Sequence, residues 1–328
     1  MKKMIAIVAG GDSSEFGVSL RSAEGLLSFM DKEKYDCYVV ELCGKQWTAC
    51  YGEERCEIDK SDFSFQAADG RHTFDFAYIT IHGTPGENGI LQGYFDLIGM
   101  PYSTSGVLVE ALTFNKYALN NYLRAFPELY ISDSLLVRKG DKLPDAESVV
   151  ARLGLPCFVK PNAGGSSFGV TKVKTAADLY PAIEKAMQES DEVMVEKMMA
   201  GTEITCGCYK KGTEVVTFPI TEVVTTQEFF DYDAKYNGKV EEITPARIAP
   251  QTAKRVAETT EKIYKILDCY GIIRIDYILT GEKGEEQINL LEINTTPGMT
   301  MTSFIPQQVR AAGLDIKDVL ADIIEGKL

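Results

Sequence analysis

The sequence predicts a multidomain α/β protein, and three observations carry that reading. Near the N-terminus an apolar strand, a polar turn and an amphipathic helix follow one another and then recur, as a parallel sheet with crossover helices requires. In the middle, a glycine-rich turn separates two strand-like runs. Near the C-terminus, a hairpin alternates apolar residues with oxygen-bearing side chains. At 328 residues the chain is long enough for two or three domains.

Met4 to Ala9 reads as a strand, Gly10 to Glu15 as a turn, and Val18 to Met30 as a helix, because Leu20, Ala23, Leu26, Leu27 and Met30 recur at helical spacing. Tyr38 to Leu42 and Phe74 to Ile81 supply further strands. The second runs into His82-Gly83-Thr84-Pro85-Gly86-Glu87, ahead of a helix with Ile90, Leu91, Tyr94, Phe95 and Ile98. Ligands of parallel sheets bind beyond the carboxyl ends of the strands, which is where Glu15 and His82 fall. Pro101 to Gly106 forms a joint, followed by a single helix through Leu112, Tyr117, Leu119 and Leu123 and a strand at Ser134 to Arg138.

Pro156 to Pro161, the loop Asn162 to Ser167, and Phe168 to Val173 read as strand, glycine loop, strand. Glycines let backbone N–H groups approach an oxyanion closely, and Lys160 adds a point charge, so the unit suits phosphate. It does not follow the GxxxxGK[ST] pattern that opens a helix. Asp191 to Val195 is a further strand, leading into the connector Glu196 to Glu203, whose backbone can meet an adenine edge. Glu228 to Gly238 interrupts periodicity with charges and aromatics and reads as an ordered loop over a site. Helices follow from about Thr252 to Leu267 and from about Ile316 to Ile324.

Ile272 to Leu279 and Gln287 to Ile293 flank a turn and form the C-terminal hairpin. Alternation places Ile273, Ile275, Tyr277, Leu291 and Ile293 toward a core, with Arg274 and Asp276 on the opposite face and Glu292 and Asn294 able to join them. A solvated hairpin in which Arg274 neutralises Asp276 is one reading. The other is a hard divalent cation such as Mg²⁺ held by Asp276, Glu292 and Asn294, which the phosphate-type loop elsewhere favours.

The formal charge of -14 disfavours nucleic acid or an anionic membrane as partner, since attraction to phosphate needs a positive field. No apolar run reaches transmembrane length and no cleavable leader pattern follows Met1-Lys2-Lys3, so a cytoplasmic location is expected. The eight cysteines are scattered without a CxxC pair, which favours free thiols over structural zinc.

Lys160 with its Gly-Gly-Ser-Ser loop, the Glu196 to Glu203 connector, Arg274-x-Asp276 and Glu292-x-Asn294 together resemble the ATP-grasp fold. Gly10-Gly11 with Ser14-Glu15 and Val18-Ser19-Leu20, His82-Gly83-Thr84-x-Gly86-Glu87, Lys235-Tyr236 and the Glu292 to Met299 run narrow the resemblance to the D-alanine:D-alanine ligases, from residue 5 to about 306. The resemblance implies a Rossmann-like N-terminal parallel α/β domain at residues 1–102, a central ATP-grasp subdomain at 103–195 and a C-terminal ATP-grasp subdomain at 196–328. It also implies ATP, two Mg²⁺ ions with Mn²⁺ as a substitute, and a homodimer.

Carried over by resemblance, Lys116 and Lys160 look like phosphate lysines, with Ser166 and Ser167 on the phosphate loop. Glu196, Met198 and Met199 look like adenine contacts and Glu203 like the ribose contact, while Asp276, Glu292 and Asn294 look like the magnesium ligands. Glu15 resembles the carboxylate that fixes the first D-alanine, with His82 nearby. Arg274 and the N–H of Gly298 resemble the oxyanion donors, and Ser303 and Phe304 the second-substrate subsite. The Phe230 to Gly238 segment resembles a lid, its Tyr236 bonding toward Ser166 and Glu15 and its Lys235 reaching phosphate. The activity implied is ATP-dependent formation of D-alanyl-D-alanine through a D-alanyl phosphate, for peptidoglycan precursor synthesis. Phe304, where leucine is usual, leaves D-serine or D-lactate open as second substrate, although Tyr236 favours an amine. A noncatalytic nucleotide-binding module of the same fold is the alternative from another class.

Overall fold

The computed structural model describes residues 2–165, 168–225 and 240–328, and organises them around three sheets. In the first, Lys3–Gly10 lies between Tyr35–Cys43 and Phe76–Ile79 and runs parallel to both. Beyond Tyr35–Cys43, the strands Gln46–Tyr51, Glu54–Asp59, Ser64–Ala67 and Gly70–His72 form an antiparallel meander. The expected parallel sheet is therefore mixed. Connections of a few residues between those strands suffice for tight turns but not for the helical crossover that a parallel pair needs.

Lys3–Gly10 is buried on both faces, which explains its unbroken apolar run. Ala6 and Val8 face Leu91 and Phe95 of helix Ile90–Ile98, whereas Ile5, Ile7 and Ala9 face Ala23 and Leu26 of helix Phe16–Phe29. The second of these cores also takes in Val309 of helix Phe304–Ala311 and Leu320 of helix Ile316–Glu325, so both ends of the chain share one core.

The second sheet is antiparallel, in the order Thr171–Val173, Cys157–Pro161, Glu192–Lys197, Ser134–Arg138. Helices Ala146–Leu153 and Leu179–Ala186 cover one face, which leaves Phe158, Lys160 and Glu196 on the other. In the third sheet Thr202–Lys211, Ile273–Thr280 and Gln287–Asn294 are adjacent antiparallel strands. Thr221–Thr225 and Val240–Ile243 extend it on one side and Tyr130–Ile131 on the other. Helix Pro250–Ile266 covers its apolar face through Val256, Ile263 and Tyr264.

Two further expectations are revised. The single helix after the joint is two, Val107–Phe114 and Lys116–Leu123, because Asn115 caps the second by accepting from the backbone N–H of Ala118. Leu119, Leu123 and Leu129 then pack into the core of the third sheet, so a stretch assigned to the central segment is anchored to the C-terminal sheet instead. Leu291 is not in the core. The register slips between Asp276 and Tyr277, so that Tyr277 pairs with Leu290 and Asp276 with Glu292. Leu291 becomes the extra residue of a bulge and faces the cleft.

Helix Phe16–Phe29 is locked onto the loop after Asn294 by close backbone approach. A Cβ built on Gly25 would stand 2.1 Å from the carbonyl oxygen of Met299, whose own N–H donates to Ser22 Oγ at 3.3 Å. Gly25→Ala should thus lower the unfolding free energy by about 1–3 kcal/mol, the usual cost of overpacking. Urea denaturation monitored by circular dichroism checks this, and an unchanged midpoint would mean that the helix is free to shift.

Candidate active site

Two cavities lie where the three sheets meet. The first, of about 420 Å³, separates the uncovered faces of the second and third sheets. Lys116, Lys160, Glu196, Met198, Met199, Glu203, Asp276 and Glu292 all border it, as expected for the nucleotide residues. The second, of about 490 Å³, holds Glu15, His82, Arg274, Asn294, Gly298, Ser303 and Phe304. Glu292 and Gly165 border both, so a group in one cavity can reach a group in the other. Ser166, Ser167, Lys235 and Tyr236 lie outside the described residues.

In the first cavity, Lys160 and Glu196 sit on adjacent strands of the second sheet and form a buried ion pair at 2.6 Å, with Asn120 Nδ2 donating to the second carboxylate oxygen at 3.4 Å. Asn162, fully buried at the end of strand Cys157–Pro161, accepts from Tyr117 N–H at 2.8 Å and through its own carbonyl from Lys116 N–H at 3.0 Å. These bonds fix the start of helix Lys116–Leu123. Lys116 Nζ consequently donates to the carbonyl of Gly164 at 2.9 Å and stands 3.6 Å from Glu292.

Asp276 and Glu292 face each other directly across the hairpin, an arrangement that repels unless cations attend it. Arg274 grips Asp276 with two bonds, at 2.9 and 2.7 Å, and Thr205 Oγ1 and Asn294 Nδ2 donate to it at 2.6 and 3.2 Å. Burial works against the charge on Arg274, but Asp276, with Glu292 and Glu203 behind it, raises its pKa. The ring of Phe304 lies 5.1 Å from the guanidinium, a cation–π contact, so this side chain braces Arg274 as well as bordering the cavity. Two carboxylates and an amide on one face are the oxygen donors that a hard cation takes, with remaining positions left to phosphate and water. Among the described residues no three His, Cys, Asp or Glu cluster, which agrees with a site of that shared kind.

The second cavity is built from loops that hold one another. His82 is buried, 3.4 Å from Ser22 Oγ and bonded to the backbone of Thr296; burial lowers its pKa, opposed by the charge on Glu15. A Cβ on Gly165 would stand 2.5 Å from Glu15 Oε2, so only glycine lets the phosphate-type loop close on that carboxylate. Ser303 precedes helix Phe304–Ala311 without capping it; its hydroxyl pairs with Thr300 Oγ1 at 2.8 Å, leaving the helix N-terminus open to the cavity.

Residues absent from the sequence reading support this loop. Thr295 donates to Glu110, a fully buried carboxyl that burial pushes well above its ordinary range. Its helix is inside out: Glu110 and Thr113 point inward, while Val107 and Leu108 are 41% and 76% exposed. A search for apolar stripes passes over such a helix, although one acid in an otherwise apolar run is a usable signal. Asn115 and Asn162 left no signal, since their value lies in a contact 47 residues apart in sequence.

Two family models match the chain, D-ala D-ala ligase N-terminus over residues 4–105 and D-ala D-ala ligase C-terminus over residues 130–325. The chain belongs to the D-alanine–D-alanine ligase family. A relative named D-alanine--D-alanine ligase from Phocaeicola vulgatus is 64% identical over 100% of both chains, and one of the same name from Bacteroides fragilis is 62% identical over the same share. Among solved structures, a D-Ala:D-Ser ligase from Enterococcus faecalis has a TM-score of 0.88 at 29% identity over 100% of both chains. A family structure from Bacillus anthracis complexed with ATP has a TM-score of 0.77 at 28% identity, covering 98% of this chain and 96% of that one. The ATP-grasp architecture and its preceding α/β domain are those of this ligase family.

Glu87, of the His82 loop, accepts from Gly83 N–H at 2.6 Å, yet burial pushes its carboxyl up to about 7. Because the folded value exceeds the ordinary 4.5, its contribution to stability is complete below about pH 4.5 and is lost as pH rises to about 7. That loss is up to about 3 kcal/mol. Glu87→Gln should flatten the decline in unfolding free energy between pH 5 and pH 8, by roughly 2–3 kcal/mol. Denaturant titrations at the two pH values measure it, and an identical slope in the variant would show that Glu87 does not titrate there.

Proposed function

We infer that the chain joins two D-alanines into D-alanyl-D-alanine with conversion of ATP to ADP, supplying a peptidoglycan precursor. The supporting observation is the pair of cavities that meet at Glu292 and Gly165 beside Arg274, in a chain whose relatives at 60–64% identity carry that name. In this reading ATP occupies the first cavity, its adenine beside Met198 and Met199, its ribose at Glu203 and its phosphates at Lys116 and Lys160. Two magnesium ions at Asp276, Glu292 and Asn294 would neutralise those phosphates, and Mn²⁺ offers the same hard-donor chemistry.

Glu15 fixes the ammonium of the first D-alanine, with His82 against the same substrate. The substrate carboxylate attacks the γ-phosphorus; the P–O bond to ADP breaks and an acyl phosphate forms. The amine of the second D-alanine then attacks the carbonyl carbon, and inorganic phosphate leaves. Arg274, held rigid by Asp276, and the N–H of Gly298 stabilise the tetrahedral oxyanion, a kind of donor whose loss costs about 10²- to 10³-fold in rate. Lys235, Tyr236 and Ser166 close the site and keep water from the acyl phosphate.

The chain should release ADP and phosphate only when D-alanine is present, with D-alanyl-D-alanine as product. Glu292→Ala should lower kcat at least about 100-fold through the lost phosphate and metal contacts. A coupled ADP assay with mass analysis of products from D-alanine, D-serine and D-lactate decides the matter; no D-alanine-dependent turnover would refute the activity, and preferential incorporation of D-serine or D-lactate would refute the second substrate.

The homodimer is proposed through helices Ile90–Ile98 and Val107–Phe114, where Ile90, Leu97 and Leu108 are 62%, 88% and 76% exposed, an apolar patch that a second copy would cover. Combining Leu97→Asp with Leu108→Asp should yield the monomer mass in light scattering, and a persistent dimer would place the interface elsewhere. Among the described residues no helix is long and apolar enough to cross a membrane. The eight free thiols and the ATP requirement suit a reducing, cytoplasmic compartment.

A further inference from the structure

One carboxylate of the second cavity has no part in the scheme above. Glu242, on edge strand Val240–Ile243, shares the cavity wall with Arg274, Gly298, Ser303 and Phe304. Its Oε2 accepts from Gln307 Nε2 at 2.6 Å. The same amide nitrogen donates to the carbonyl of Thr302 at 2.6 Å, so helix Phe304–Ala311 orients the carboxylate. Among the described residues Glu242 makes no ion pair, while Arg274 is committed to Asp276. Partial desolvation raises its pKa, with the Gln307 bond and the charge of Arg274 opposing.

A second amino acid enters this cavity as a zwitterion. Its carboxylate has a natural seat at Ser303 and the open N-terminus of helix Phe304–Ala311, where backbone N–H groups and the helix dipole favour an anion. Gln307 lies one turn further along the same helix, about 5 Å away, a span that one small amino acid bridges with its two ionic ends. The end left over is a cation, and Glu242 is the anion presented there. Glu15 is reserved for the first amino acid, Glu292 for the nucleotide side, and Glu87 is turned to Gly83.

Resting on the ligase reading, we propose that Glu242 receives the ammonium of the second amino acid and thereby selects a zwitterionic acceptor over an uncharged 2-hydroxy acid. A 2-hydroxy acid carries the same carboxylate but offers Glu242 only a neutral hydroxyl, which forgoes the charge-assisted bond. Selectivity between peptide and ester formation is then set partly at the edge strand, by a side chain that touches substrate and not nucleotide.

The test is steady-state kinetics of the full chain with ATP, D-alanine and D-lactate, resolving the two D-alanine Michaelis constants. Glu242→Gln should raise the second-site KM about tenfold, the size of one charge-assisted bond, with the ATP and first-site constants unchanged. The ester share of product from mixed D-alanine and D-lactate should rise, and Glu242→Asp should recover part of the second-site affinity. Gln307→Ala, which frees the carboxylate without removing it, should give an intermediate second-site KM. An unchanged second-site KM and ester share in Glu242→Gln would overturn the proposal, as would a parallel rise in all three constants, the mark of a structural role. Dipeptide formation by the wild type with either of those results leaves the ligase reading standing, whereas its absence strikes at that reading itself.

Discussion

The clasp between Arg274 and Asp276 is the interaction on which the rest of the site depends. Both side chains are largely withdrawn from water, and a buried charge without its partner costs several kcal/mol, so each holds the other in its ionised form and in one orientation. Thr205 and Asn294 complete the acceptor positions of the aspartate, and Phe304 braces the guanidinium from the other side. Three adjacent segments of the third sheet are thereby registered against the loop that carries Gly298. The arrangement is strained in the electrostatic sense, with Asp276 and Glu292 opposite each other, and that excess negative charge is what makes the cleft receptive to cations.

Around this clasp the protein economises on motion by letting backbones touch. Gly25 against Met299 and Gly165 against Glu15 are places where no side chain fits, and each brings a segment of one sheet system against a catalytic segment of another. Glu110 and Thr295 add a buried tie from the inverted helix. The consequence is a site whose parts come from all three sheets but whose relative positions are set by contacts at the chain's own core, since the first and last helices share it.

The hairpin and its polar face were legible in the sequence because alternation is a local property, and Arg274, Asp276, Glu292 and Asn294 fall on the cleft as alternation predicts. The bulge was not, since an extra residue leaves no mark in a run as apolar as Ile288 to Leu291. The first βα unit could be read from periodicity. The meander from Gln46 to His72 could not, because its charged and apolar residues alternate too weakly to separate strands from loops. Lys116 and Met198 acquired meaning only through family resemblance, as neither differs locally from a surface lysine or a packing methionine. Glu110, Asn115, Asn162 and Glu242 depend on partners distant in sequence, and pattern reading has no access to such pairs.

The bulge at Leu291 sets a rule for how this strand tolerates change in length. Between Tyr277 and Asp276 the partner strand spends one residue more than the ladder needs, and everything downstream inherits that offset. Removing a single position from Ile288 to Leu291 would therefore exchange the inward and outward sides of the segment, carrying a carboxylate into oil and an isoleucine into the nucleotide cleft. Insertions at the Gly281 to Gly284 tip leave that phase untouched, so natural or engineered drift in this hairpin has one permissive end and one forbidden stretch.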